Sequence, residues 1–301
     1  MHQFVQALST RSRRLAGRGV GRAASAASGP RAASVAGAVG AAAMAGVVGG
    51  SGRPRLYGDV PGAPGLAGWA KVFFGRPGPK VLAGTLAVVA ARRARLGGWR
   101  AQDLVVAGAV VGLHPFAEWA VHVYILHGPS RRARRRAGGS PGEEMSGGGL
   151  PGEGFSARKH REHHENPQDI DLVLLPKVTV AGLAAAAAMP AWVAPDRRRG
   201  ATGAAASLLG LLAYEWIHFL IHSPYRPRGA VYRARWRAHR LHHYRNENYW
   251  FGVVGTVADR VLGTAPAKGD VPLSGTAKSL AVPAAGRGLA VPATAAAGAG
   301  A

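Results

Sequence analysis

Apolar residues gather in four stretches along the chain: 81–91, 104–126, 178–194 and 201–221. A helix that crosses a bilayer needs about 20 mainly apolar residues. Leu104 to Leu126 and Ala201 to Ile221 meet that requirement. Val178 to Ala194 is shorter and is interrupted by Pro190, but the tight link from Pro195 to Gly200 pairs it with the next stretch as a helical hairpin. Val81 to Ala91 spans only if its neighbours extend it; otherwise it lies re-entrant. The pattern predicts an all-α, integral-membrane helical bundle of about four membrane elements.

Outside these stretches the composition changes. Residues 1–60 read as a low-complexity N-terminal segment, with Arg11, Arg13, Arg14, Arg18 and Arg22 ahead of an Ala/Gly/Val tract. From Val271 an Ala/Pro/Gly pattern returns, so residues 271–301 are expected to form a disordered tail. The catalytic domain is therefore expected within 61–270. The formal charge of +23 would suggest nucleic acid on a soluble domain. Here Lys and Arg cluster beside apolar runs, at 92–95, 131–136 and 226–240, which places charge at a bilayer surface and excludes a nucleic-acid partner. The positive-inside rule puts the segment 128–176 and the chain after His222 on the cytoplasmic face. Arg92, Arg93, Arg95, Arg100 and Arg197 to Arg199 disagree, since they then lie outside. No cysteine is present, so a metal must be held by nitrogen or oxygen.

Ten of the twelve histidines fall in four clusters: His122-x4-His127, His160-x2-His163-His164, His218-x3-His222 and His239-x2-His242-His243. Residues three and four apart share a helix face, so each HxxHH cluster is expected to aim its rings at one point. His218 and His222 make a one-turn pair. Five residues rotate His127 away from His122, so its ring converges only if the helix stops at Gly128-Pro129. His114 is expected to be an ordinary, satisfied polar residue within the membrane. Ten imidazoles suffice for two metals. Imidazole suits zinc, copper, iron and nickel; oxygen chemistry selects iron, because zinc has no redox chemistry. Glu118 precedes His122 by one turn and Glu215 precedes His218, so each carboxylate is expected to accept a ring N–H from its histidine.

In this order the four clusters resemble the fatty acid hydroxylase and sterol desaturase superfamily, and within it the fatty acid 2-hydroxylases most. The likeness runs from about His114 to Pro266. It includes the run Tyr214 to His222, then His242-His243-Tyr244-Arg245-Asn246, Phe251-Gly252-Val253 and Asp259 to Thr264. The resemblance implies a cytoplasmic dimetal cap held by all ten clustered histidines. It also implies hydroxylation of a lipid acyl chain at C2 with molecular oxygen. Two metal ions are implied, iron for the chemistry, with zinc the alternative in isolated protein. No fused cytochrome b5 domain is legible in 1–60, so electrons are expected from a separate protein, cytochrome b5-like or a ferredoxin with its reductase. Trp119, Tyr124, Trp216, Tyr249 and Trp250 are candidate wall or interface residues. Two other readings keep the histidines but change the outcome. One is a sterol-type desaturase or carotenoid hydroxylase; the other is a membrane metal-binding or transport protein.

Overall fold

A computed structural model describes residues 56–61, 65–128 and 154–281. Most of the tails expected at 1–60 and 271–301, namely 1–55 and 282–301, lie outside the described residues, as do 62–64 and the Arg-rich link 129–153. The described chain is helical, and its β structure is one isolated bridge between Leu56 and Asp169.

We number the helices α1 (Leu66–Phe74), α2 (Pro77–Leu96), α3 (Ala101–Val121), α4 (Phe155–Glu165), α5 (Lys177–Ala188), α6 (Arg197–His222), α7 (Ala230–Tyr244), α8 (Val257–Val261) and α9 (Gly275–Ala281). Local chemistry sets several ends. Pro77 opens α2, where its missing N–H costs nothing. Gly97, at φ 56°, closes the same helix. Asp196 caps α6 by accepting the N–H groups of Arg198 and Arg199 at 3.0 and 3.1 Å.

Three segments are long and apolar enough to cross a membrane: Ala101–Leu126, Ile170–Val193 and Arg197–His222. The stretch 81–91 is instead the middle of α2, a 20-residue helix that fails this test. Lys80, Arg92, Arg93 and Arg95 make it too polar, and it packs against α5 and α6. Small residues allow that packing. Ala184, Ala188, Ala191, Ala201 and Ala204 are buried between α2, α5 and α6, and a Cβ on Gly200 would overlap the Pro190 carbonyl. Close backbone approach replaces large side chains at such interfaces. On α3, Leu104, Val105, Val111 and Leu113 point outward, as a lipid-facing surface requires. His114 packs its ring against Gly210, but its Nε2 has no partner among the described residues, contrary to the expected satisfied polar group.

At the end of the bundle away from the clustered histidines, α2, α3 and α6 are tied by a buried polar knot. Arg93 pairs with Asp103 at 2.9 Å and donates to Thr202 at 2.8 Å, and Thr202 donates to Asp103 at 2.7 Å. Asp103 and His122 stand on one continuous helical run, so the two ends lie about 28 Å apart along α3 at 1.5 Å per residue.

Both expected fold boundaries move outward. Tyr57 is buried against Trp69 and Phe219, and its hydroxyl donates to the Phe219 carbonyl at 2.8 Å. Residues 271–281 also belong to the packed structure. Val271 is buried beside Ala238 and Trp250, and Arg245 and Asn246 donate to the carbonyls of Val271 and Pro272. Composition misplaced this boundary because two small buried residues, Val271 and Ala277, and a few hydrogen bonds suffice to dock the segment.

Candidate metal centre

Ten imidazoles converge where the ends of α3 and α6 meet α4 and α7, and they separate into two groups of five. His122, His127, His160, His164 and His242 form the first; His163, His218, His222, His239 and His243 form the second. Within each group one nitrogen of every ring lies within 4.8 Å of those of the others. The two groups abut: His164 of the first stacks on His243 of the second, with ring centroids 4.1 Å apart.

Each HxxHH cluster is therefore divided between the groups, rather than aimed at one point as expected. The i and i+4 rings of α4, His160 and His164, join the first group, and His163 joins the second. On α7 the i and i+4 rings, His239 and His243, join the second, and His242 joins the first. A helix turns 100° per residue, so the middle histidine of the cluster points off the line of the outer two. Two such helices brought together supply both groups at once.

The remaining ligand pairs differ in backbone. His218 and His222 are one turn apart on α6, a regular helix. His122 and His127 are joined by a π-helical turn, His122–Leu126, in which His127 N–H donates to the His122 carbonyl at 3.0 Å. The wider turn brings rings five residues apart onto one face, and their centroids lie 5.1 Å apart. The turn ends at Leu126, so His127 stands just past the helix end, as expected, and the π-helical turn adds the alignment.

A metal ion fits both groups on chemical grounds. His122 Nδ1 lies 2.6 Å from the Phe251 carbonyl and His242 Nδ1 lies 2.8 Å from that of Tyr249. These nitrogens must carry the ring proton, which leaves Nε2 of both rings with a bare lone pair. Those Nε2 atoms nevertheless face other Nε2 atoms. His122 meets His160 at 3.0 Å, His160 meets His127 at 3.1 Å, and His164 meets His160 and His242 at 3.2 Å. In the second group His222 Nε2 meets His239 Nε2 at 3.0 Å, and His218 Nε2 and both ring nitrogens of His163 and His243 have no hydrogen-bond partner among the described residues. Protons cannot satisfy so many converging lone pairs. Two nitrogens on one ion, each about 2.1 Å from it, lie about 3.0 Å apart at a right angle and about 3.4 Å apart at a tetrahedral angle. The observed separations match.

Burial keeps the rings ready. Desolvation, followed by repulsion from neighbouring imidazoles, holds His127, His160, His163, His164, His239 and His243 well below the ordinary histidine value. They are neutral and able to ligate at physiological pH.

Glu118 and Glu215 are both buried, and their carboxylates accept backbone N–H groups from other segments. Glu118 accepts the backbone N–H of Val253 and Val254. Glu215 accepts that of Leu175, at 3.3 Å to each oxygen. Backbone carbonyls orient the rings: Phe251 and Tyr249 for His122 and His242, Val173 for His218 and Pro167 for His222. Helical offset revealed the carboxylates, but carbonyls from distant segments leave no mark in the sequence. Asp259, which pins the segment holding Phe251, stood in a motif with no role assigned. Of the aromatic candidates, Tyr124 faces outward, Trp250 is buried, and Trp119 donates to Thr264 Oγ1 at 2.9 Å.

Comparison with known proteins agrees with this geometry. No curated protein sequence matches the chain. The hydroxylase domain visible in a structure of full-length Scs7p superimposes with a TM-score of 0.50 at 22% sequence identity, covering 64% of this chain and 68% of that one. At that identity the likeness speaks to the fold. A family model described as fatty acid hydroxylase matches residues 107–264, more than half of the chain and inclusive of all ten converging histidines. The sequence match and the paired imidazole groups lead to one assignment: the chain belongs to the fatty acid hydroxylase family.

Proposed function

We propose that the two histidine groups hold a pair of iron ions and that the protein hydroxylates a lipid acyl chain at C2. The carrying observation is the pair of abutting five-imidazole groups, buried and rich in unpartnered nitrogens. Iron bound there supplies oxygen activation and the cleavage of an unactivated C–H bond; zinc fits the ligands but not that chemistry. The protein's part is to keep the imidazoles neutral, to fix their directions through backbone carbonyls and to exclude water. His163, His239 and His242 are fully buried, which meets the last need.

Position favours C2. His122 lies about one turn from the end of one candidate span, and His218 and His222 occupy the last turn of another, so the centre stands near the boundary between hydrocarbon and water. A lipid keeps its head group at that boundary and its methyl end near the midplane. The carbons nearest the head group are therefore the ones that reach the histidines. Ligands at span ends also argue against a transporter, in which binding sites lie near the midplane. A hairpin of Ile170–Val193 and Arg197–His222 would return the chain to its starting face, and the Arg-rich flanks favour the cytoplasm for that face. Electrons come from a separate carrier protein.

The test is mass spectrometry of lipids after anaerobic iron loading, followed by oxygen and a reductase system. Acyl chains bearing a 2-hydroxyl group support the reading. A hydroxyl elsewhere, a new double bond, or bound metal without turnover overturns it.

A further inference from the structure

Five consecutive backbone N–H groups, from Trp250 to Val254, donate to acceptors outside their own segment. Trp250 donates to the Thr264 carbonyl at 2.8 Å. Phe251 and Gly252 donate to the two oxygens of Asp259 at 2.9 and 2.7 Å, and Val253 and Val254 donate to Glu118. Trp250 itself has φ 55°, a left-handed conformation that a bulky residue keeps only when its surroundings impose it. Gly252 has no alternative, because a Cβ there would overlap the Gly255 carbonyl oxygen. The segment is therefore held in one shape from several directions at once.

That shape faces one histidine group. The Tyr249 carbonyl accepts from His242 and the Phe251 carbonyl from His122, and both rings belong to the first group. The carbonyls that orient His218 and His222 in the second group come from Val173 and Pro167, on a different stretch of chain. Asp259 lies at the centre of the clamp. It is buried, accepts from Thr264 Oγ1 at 2.6 Å as well as from the two N–H groups, and has no cationic partner among the described residues. Three N–H and O–H donors thus stand where a buried carboxylate would ordinarily need a counter-charge.

We propose that Asp259 is a positioning residue for one of the two metal positions. By holding Phe251 and Gly252 it aims the Tyr249 and Phe251 carbonyls, and through them the Nε2 atoms of His122 and His242, into the first group. The second group is oriented independently of it. The inference rests on the dimetal reading above.

The experiment counts iron per chain in the full-length protein, loaded anaerobically with iron(II) and challenged with graded chelator, by elemental mass spectrometry. Asp259→Asn keeps the side chain's size but replaces one acceptor with a donor facing a backbone N–H. One of the two irons is expected to weaken by about 10–100-fold, the usual scale for loss of an orienting partner, with the other unchanged. In a His242→Ala background, which already empties the first group, Asp259→Asn should remove no further iron. In a His239→Ala background, which empties the second, it should leave the chain nearly iron-free. Thr264→Val, which keeps the shape but removes the hydroxyl donor, should shift the same iron to a smaller degree, and it carries the test if Asp259→Asn does not fold. Two irons held as tightly as in the unaltered chain, or both weakened alike, would overturn the proposal. A failure of the dimetal reading looks different: the unaltered chain would then bind no pair of irons, or His242→Ala would lose none.

Discussion

The two histidine groups hold the same number of rings and share α4 and α7, but they are built in different ways. The second takes its own pair, His218 and His222, from an uninterrupted helix, and its orienting carbonyls come from the chain just before α5. The first takes His122 and His127 from a π-helical turn, and its carbonyls come from a segment clamped by Asp259 and Glu118. A regular helix supplies its geometry at no extra cost. A π-helical turn gives up regular hydrogen bonding and needs support nearby, and such turns concentrate at functional sites. The comparison teaches that the first position is the adjustable one, with more residues outside the ligand set able to change it.

Loss of a ligand should have the largest effect. His160→Ala in the first group and His239→Ala in the second should each abolish turnover and reduce bound iron from two ions to about one. Metal counts alongside lipid product analysis check this, and a chain that keeps both ions after either change would break the division into groups.

Acid comes next. Six histidines outside the spanning segments have values depressed by burial, three from each group. Their folded values lie below the unfolded value of about 6.5, so the unfolded chain binds more protons in acid. The stability they contribute is complete above about pH 6.5 and is lost as the pH falls below it, by up to about 1.4 kcal/mol per pH unit for each histidine. Thermal melts of the metal-free protein between pH 8 and pH 5 should show this fall. A melting temperature that rises on acidification would contradict it.

The carboxylates should have a smaller and unequal effect. Glu118 accepts two backbone N–H groups, whereas Glu215 accepts one, at 3.3 Å. Glu118→Gln should reduce iron affinity at the first group by about 10–100-fold, and Glu215→Gln should reduce that at the second by less. Equal losses would remove the distinction drawn here. The smallest effect is expected at Lys159, which pairs with Glu162 at 2.6 Å on the outer face of α4. Lys159→Ala should change stability by no more than about 0.5 kcal/mol, the scale of a solvent-exposed helix pair, as denaturant titration would show.

What was legible in the sequence follows the same contrast. The spacing of His218 and His222 already placed them on one face, because the helix there is regular. The spacing of His122 and His127 did not, since nothing in His-Val-Tyr-Ile-Leu-His announces a π-helical turn. The HxxHH clusters revealed metal chemistry but not their division, which depends on two helices meeting. Glu118 and Glu215 were visible by offset, yet their partners lie at Val253, Val254 and Leu175, far along the chain. Val271 and Ala277 were discounted on composition, which does not register the burial of two small residues.

The central claim is that this chain holds two separate ions, each among five imidazoles. Anomalous diffraction at the iron edge, from crystals of the iron-loaded protein, tests it most directly. Two peaks are predicted, one among His122, His127, His160, His164 and His242 and the other among His163, His218, His222, His239 and His243. A single peak, or a peak bound by Glu118 or Glu215, would contradict the account.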